Sequence, residues 1–224
     1  MLRLYTQARN SAGERVRIAL RLKGLEAEYV AIPSLPPGAW RAANPQGLMP
    51  ALEVAAGRVI AQSGAILEYL EETHPEPALL PADPVRRAEV RGFAGLIAAD
   101  LHPLNNHRVR RWLGEHLRAD EAEILAWYRH WAATAFAALE ETLARGDGDG
   151  GPFCFGAAEP GWADLHLVPQ LANARRFGCD LSAYPRLLAA EAACLPLDAF
   201  RMARPEAQPD YSGAVETVIR PGPR

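Results

Sequence analysis

The chain has 224 residues, 49% hydrophobic and 23% charged, with a formal net charge of −3. That balance gives no drive toward nucleic acid or an anionic membrane surface, and the length allows one or two domains with a full core. No run of about 18 apolar residues reads as a membrane span, and the N-terminus lacks a signal-peptide pattern; Cys154, Cys179 and Cys194 are an odd set without metal-ligand spacing, which argues against a disulfide framework or zinc site and for a reducing cytoplasm.

Residues 2–5 read as a short strand, and residues 13–23 as a helix with Val16, Ala19 and Leu20 on one stripe and Gly24 as its C-terminal stop. A second strand at 28–32 enters a loop carrying Pro33, Pro36 and Pro37. Residues 51–54 and 58–60, joined by Ala55-Ala56-Gly57, form a hairpin. Ser63 then caps a helix that turns Ile66, Leu67 and Leu70 inward. The order β-α-β-(α)-β-β-α is that of a thioredoxin-like sheet.

Pro75, Pro77, Pro81 and Pro84 make a connector that cannot be regular helix. Beyond it every periodic segment is helical: 85–113 with a kink at Pro103, 120–145, 161–176, and two shorter helices reaching about 204. The glycine and aspartate run at 146–151 ends the second of these; it lacks the later ligands and closing glutamate of a calcium loop. The expected division is an α/β thioredoxin-like domain at 1–80, a linker at 81–84, an all-helical domain at 85–208 and a loose tail at 209–224.

Three features of the first domain converge on one chemistry. Ser11 stands at the start of the first helix, where free backbone N–H groups and the helix dipole favour an anion or a thiolate; taken alone, an ordinary N-cap serine fits the segment as well. Met49-Pro50 precedes a strand, a common place for a cis bond, and an extended peptide can pair with the backbone there as an added strand does. Gln62-Ser63 opens the next helix and suits a carboxylate. Together they suit a tripeptide, with its thiol at Ser11, its middle backbone at Met49 and its α-carboxylate at Ser63.

The helical domain adds the polar stretch Asp100-Leu101-His102-Pro103-Leu104-Asn105-Asn106-His107-Arg108, which also fits a kinked helix with a solvated face. Lys23 is the only lysine among 24 basic residues, so functional arginines must be chosen by position. Arg9, Arg108 and the Arg175-Arg176 pair are the candidates, because guanidinium forks match the two carboxylates of a dianionic acid.

The chain resembles the zeta class of glutathione transferases, and within it the maleylacetoacetate and maleylpyruvate isomerases. The resemblance spans roughly residues 2–204. It rests on Arg15-Val16-Arg17-Ile18-Ala19-Leu20 with Lys23-Gly24, Asn44-Pro45-Gln46 with Pro50-Ala51-Leu52, and Gln62-Ser63 with Ala65-Ile66. It continues through Asp100 to Asn106, Ala163-Asp164 with Leu167-Val168-Pro169-Gln170, and Ala174-Arg175-Arg176-Phe177. The family's first turn reads Arg-Ser-Ser-Cys; here it is Arg9-Asn10-Ser11-Ala12, keeping a serine and losing the cysteine.

The resemblance implies a glutathione transferase fold and a cytoplasmic homodimer. The cofactor is glutathione, held by Asn10, Ser11, Met49, Pro50, Gln62, Ser63, His102, Asn105 and Asn106. Ser11, Arg9, Arg108 and Arg176 are the catalytic set acting on a dicarboxylate keto-acid, with no metal, nucleic acid or membrane partner. The implied activity is glutathione-dependent cis–trans isomerisation. Conjugation or dehalogenation of small α-halo acids, or a non-catalytic binding role, are the other functions such a site allows.

Overall fold

The computed structural model describes residues 1–146 and 150–213. The expected glycine-rich helix end includes 147–149, and the expected tail includes 214–224; both stretches lie outside the described residues. The chain forms two compact units, one from Met1–Pro81 with Cys194–Ser212, the other beginning at Ala82 and running to Ala193.

In the first unit β1 (Leu2–Thr6), α1 (Ser11–Leu22), β2 (Ala27–Ala31), α2 (Ala39–Ala43), β3 (Ala51–Ala55), β4 (Arg58–Ala61) and α3 (Ser63–Thr73) follow in order. The sheet order is β2-β1-β3-β4, with β1 and β2 parallel and the other pairs antiparallel. A parallel pair needs a crossover, which α1 supplies. Leu4, Val30 and Leu52 of the sheet are buried with Val16, Ile18, Ala19 and Leu20 of α1 and with Ile66, Leu67 and Leu70 of α3. At the end of α1, Gly24 takes φ +65°, its N–H donates to Arg21 O, and Leu25 N–H reaches back to Leu20 O. This is the pair of bonds a left-handed glycine cap makes, so the predicted stop is a backbone requirement.

The second unit holds α4 (Pro84–Gly95), α5 (His102–Leu104), α6 (His107–His116), α7 (Glu121–Arg145), α8 (Trp162–Arg176) and α9 (Pro185–Cys194). The single kinked helix expected at 85–113 is instead three helices. Between α4 and α5, residues Leu96–Leu101 form a π-helical turn. Pro103 has no N–H to give the carbonyl one turn back and its ring crowds that turn, so the ladder before it widens. Asn106 then restarts the chain as N-cap of α6, its Oδ1 accepting from Arg108 N at 3.0 Å. A capping box between Asp120 and Glu123 starts α7. Asp164 does the same work for α8, its two oxygens accepting from Gly161 N and Cys154 N at 2.9 Å each.

The C-terminal boundary differs from expectation. Residues 194–212, including α10 (Asp198–Arg201), belong to the first unit. The cause is buried polarity: Arg17 on α1 is 5% exposed and donates through Nε to Ala203 O at 2.8 Å. Residues 209–211 are likewise not a loose tail, because the Asp210 carboxylate accepts from Ala8 N and Tyr29 Oη.

Candidate active site

Strand register assembles the site in the first unit. Tyr5 near the C-terminal end of β1 pairs with Ala51 at the start of β3, and Ala51 pairs with Ala61 at the end of β4. The segments leaving or entering these ends are 7–11, 49–50 and 62–63. The sheet therefore delivers Ser11, Met49-Pro50 and Gln62-Ser63 to one of its ends.

Each segment is held by local chemistry. Asn10, not Ser11, is the N-cap of α1: its backbone is extended and its Oδ1 accepts from Gly13 N. Ser11 is the first helical residue and is 5% exposed, which leaves its hydroxyl out of the capping role. A Cβ at Gly13 would lie 2.1 Å from Thr6 Oγ1, so only glycine lets the helix start dock this closely on the end of β1. Arg15, four residues on from Ser11 and so on the same helical face, is fully buried, which pushes its guanidinium pKa down to about 10. Its charge adds to the positive end of the helix dipole, and its burial is a feature that sequence reading passed over.

The Met49–Pro50 peptide is cis, as expected. The loop before it is braced by Trp40 Nε1 to Gly47 O, Asn44 Nδ2 to Leu48 O, and Gln62 Nε2 to Gln46 Oε1. Gln62, not Ser63, occupies the cap position of α3, at φ 74° and ψ 121°. A non-glycine residue there carries about 1–3 kcal/mol of backbone strain, a cost that concentrates at ligand clamps. Ser63 is the first residue of α3 and is buried. Arg9 lies with its guanidinium carbon 5.1 Å from the Tyr211 ring centre.

In the second unit Asn106 and His102 face each other, Nδ2 to Nε2 at 3.5 Å. Asn105 is buried, and its amide donates to Tyr128 O at 3.0 Å; the break before α6 uses that side chain as a brace and turns it away from any ligand. Arg108 is exposed near the start of α6. The Arg175-Arg176 pair is resolved by partner: Arg175 forks onto the Glu191 carboxylate, while Arg176 is exposed at the last position of α8. Phe177, which follows, is fixed by Arg129 Nε donating to its carbonyl at 3.0 Å and by Arg110, whose guanidinium carbon sits 4.4 Å from its ring centre.

None of the three cysteines forms a disulfide; Cys154 and Cys194 are buried and burial pushes the Cys179 thiol up. Among the described residues no cluster of His, Cys, Asp and Glu could hold a metal, and no helix is long and apolar enough to cross a membrane.

Residues 11–73 match the glutathione S-transferase, N-terminal domain family. The chain is 46% identical to the maleylpyruvate isomerase of a Ralstonia species over 213 residues, covering 93% of this chain and 99% of that protein. The holo structure of maleylpyruvate isomerase, a bacterial glutathione S-transferase of the zeta class, matches with a TM-score of 0.88 at 46% identity, covering 94% of this chain and 100% of that one. The maleylacetoacetate isomerase of Anaeromyxobacter dehalogenans with glutathione in its active site matches with a TM-score of 0.83 at 43% identity, covering 95% and 98%. The chain belongs to the zeta-class glutathione transferases, among the maleylpyruvate and maleylacetoacetate isomerases.

Proposed function

We propose that this protein is a glutathione-dependent cis–trans isomerase that converts a maleyl keto-acid, maleylpyruvate or maleylacetoacetate, to its fumaryl isomer. The observation that carries this is the register Tyr5–Ala51–Ala61, which gathers two helix N-termini and a cis-proline loop at one sheet end. That donor set fits glutathione: a helix start with a buried serine for the thiol, a backbone segment for the middle of an extended peptide, and a second helix start with a serine for a carboxylate.

When bound, glutathione supplies a thiolate that adds reversibly to the activated double bond, which becomes single and free to rotate. The chain's own cysteines are unsuited to that task, buried as they are and with Ala12 beside the serine of the first turn. Ser11 donates to the sulfur, and the N-terminus of α1 favours its charged form. Asn10 shapes the turn by capping the helix. Met49 and Pro50 offer the backbone edge, while Gln62 and Ser63 receive a carboxylate at the start of α3. Asn106 and His102 form a polar pair for the remainder of the cofactor. Arg9, Arg108 and Arg176 hold the two carboxylates of the acid and stabilise negative charge as it develops on the substrate.

Three cysteines without a disulfide fit a cytoplasmic enzyme, and membership of the family supports a homodimer, which sedimentation would test. Following the loss of each maleyl keto-acid by absorbance, with and without glutathione, tests the activity. The expected result is glutathione-dependent loss with no net glutathione consumed. Stoichiometric consumption would make the enzyme a conjugating transferase instead.

A further inference from the structure

The chain returns to the first turn of its site from nearly the far end of the sequence. Beyond α10, the segment 203–211 lies along the loop between β1 and α1. Arg17 Nη2 donates to Ala8 O at 3.1 Å, while its Nε holds Ala203 O at 2.8 Å. Asp210 Oδ2 accepts from Ala8 N at 3.1 Å, and its Oδ1 accepts from Tyr29 Oη at 2.6 Å. Both backbone groups of Ala8, the neighbour of Arg9, are thus held by this strap.

The next residue reaches Arg9 itself. Tyr211 places its ring 5.1 Å from the Arg9 guanidinium carbon, and its hydroxyl accepts from Arg9 Nη2 at 3.4 Å. An aromatic face suits this task. It restricts a long, rotamer-rich side chain while adding no negative charge, so the guanidinium keeps its full attraction for a carboxylate. A carboxylate partner would fix Arg9 equally well but would compete with the substrate.

We propose that Tyr211, delivered by the anchored Asp210, is a positioning residue that holds Arg9 in the conformation that receives a substrate carboxylate. This rests on the reading of Arg9 as a ligand of the keto-acid. Cation–π contacts of this kind translate into roughly 3- to 30-fold in binding.

The test uses the full-length enzyme with Tyr211→Leu, Tyr211→Phe and Arg9→Met. Steady-state KM values for the keto-acid and for glutathione are measured alongside calorimetric titration of malonate into the glutathione-saturated protein. Tyr211→Leu is expected to raise the keto-acid KM and the malonate Kd about 3- to 30-fold, leaving the glutathione KM within twofold. Tyr211→Phe, which keeps the ring, is expected to stay within about threefold of wild type. If Arg9→Met weakens malonate binding and Tyr211→Leu does not, the positioning role is overturned while Arg9 stands. If neither weakens it, Arg9 is not a substrate ligand and both readings fall. Equal losses for keto-acid and glutathione in Tyr211→Leu would mark general loosening of the turn and would also overturn the proposal.

Discussion

Ser11 and Asn10 show how one residue's displacement changes a role. A serine at a helix start reads as a cap from sequence, yet Asn10 accepts the Gly13 N–H and Ser11 becomes the first helical residue. A capping hydroxyl would be committed to the backbone; the hydroxyl of a first-turn residue is available to a ligand at the positive end of the helix. Ser11→Ala should therefore lower kcat about 10²- to 10³-fold, the usual effect of removing a preorganised donor, with an unchanged far-ultraviolet circular dichroism spectrum. Its pH–rate profile should also move upward, because the sulfur loses a donor that favours its ionised form. Asn10→Ala should do the reverse, costing about 1 kcal/mol of stability through the lost cap. An unchanged kcat in Ser11→Ala removes that residue from the mechanism.

Elements are tied together by buried charge at two places, and each makes a measurable prediction. Lys23, at the end of α1, pairs with Glu71 on α3 at 2.8 Å with its side chain wholly buried, and also donates to His74 O and Pro77 O. Glu71 in turn accepts from Leu79 N and Leu80 N. The proline-rich connector is thus nailed to both helices. Lys23→Met leaves a buried carboxylate without its cation, and urea denaturation should show a loss of about 3–5 kcal/mol with the slope unchanged. Asp164 is the second place: burial raises its carboxyl above the ordinary 3.8, although Cys154 and Gly161 N–H groups donate to it. A folded pKa raised above the unfolded one means that the group's contribution is complete below about 3.8 and is lost as pH rises through the folded value. Asp164→Asn should be less stable overall by about 1–3 kcal/mol, having exchanged an acceptor for a donor, but its stability should fall less between pH 4 and pH 8. A parallel fall in both proteins would show that Asp164 does not titrate there. The elements themselves were legible wherever the signal is local: the alternation of β1, the turn joining β3 to β4, the glycine after α1, the acidic start of α7. The π-helical turn was not, because Pro103 announces a break without saying how the preceding turn relaxes.

Across the whole molecule, legibility fails where contacts are distant. Asp210 meets Ala8 across 202 residues and Tyr29 across 181, and no local pattern near Pro209 distinguishes such a strap from a loose tail. The same holds for Arg15 and Arg17, whose burial depends on what the fold lays over α1. The three cofactor anchors were legible for the opposite reason, since each sits at a helix start or strand entrance that its own neighbours define. What the sheet adds is their convergence, and convergence has a thermodynamic signature. A ligand that binds only the folded chain stabilises it by about 2.7 kcal/mol at a hundred times its Kd, or a rise in Tm of roughly 5–11 °C for a protein of this size. If α1 holds the sulfur as a thiolate, the bound thiol's pKa lies below the free value near 8.5, and apparent affinity climbs with pH between the two. Glutathione should then raise Tm more at pH 8 than at pH 6. S-methylglutathione, which has no proton to lose, should give the same shift at both, once each is referred to the unliganded protein at that pH. Equal pH responses from the two ligands would mean that the helix start binds a neutral sulfur, and thiolate stabilisation by Ser11 and α1 would have to be abandoned.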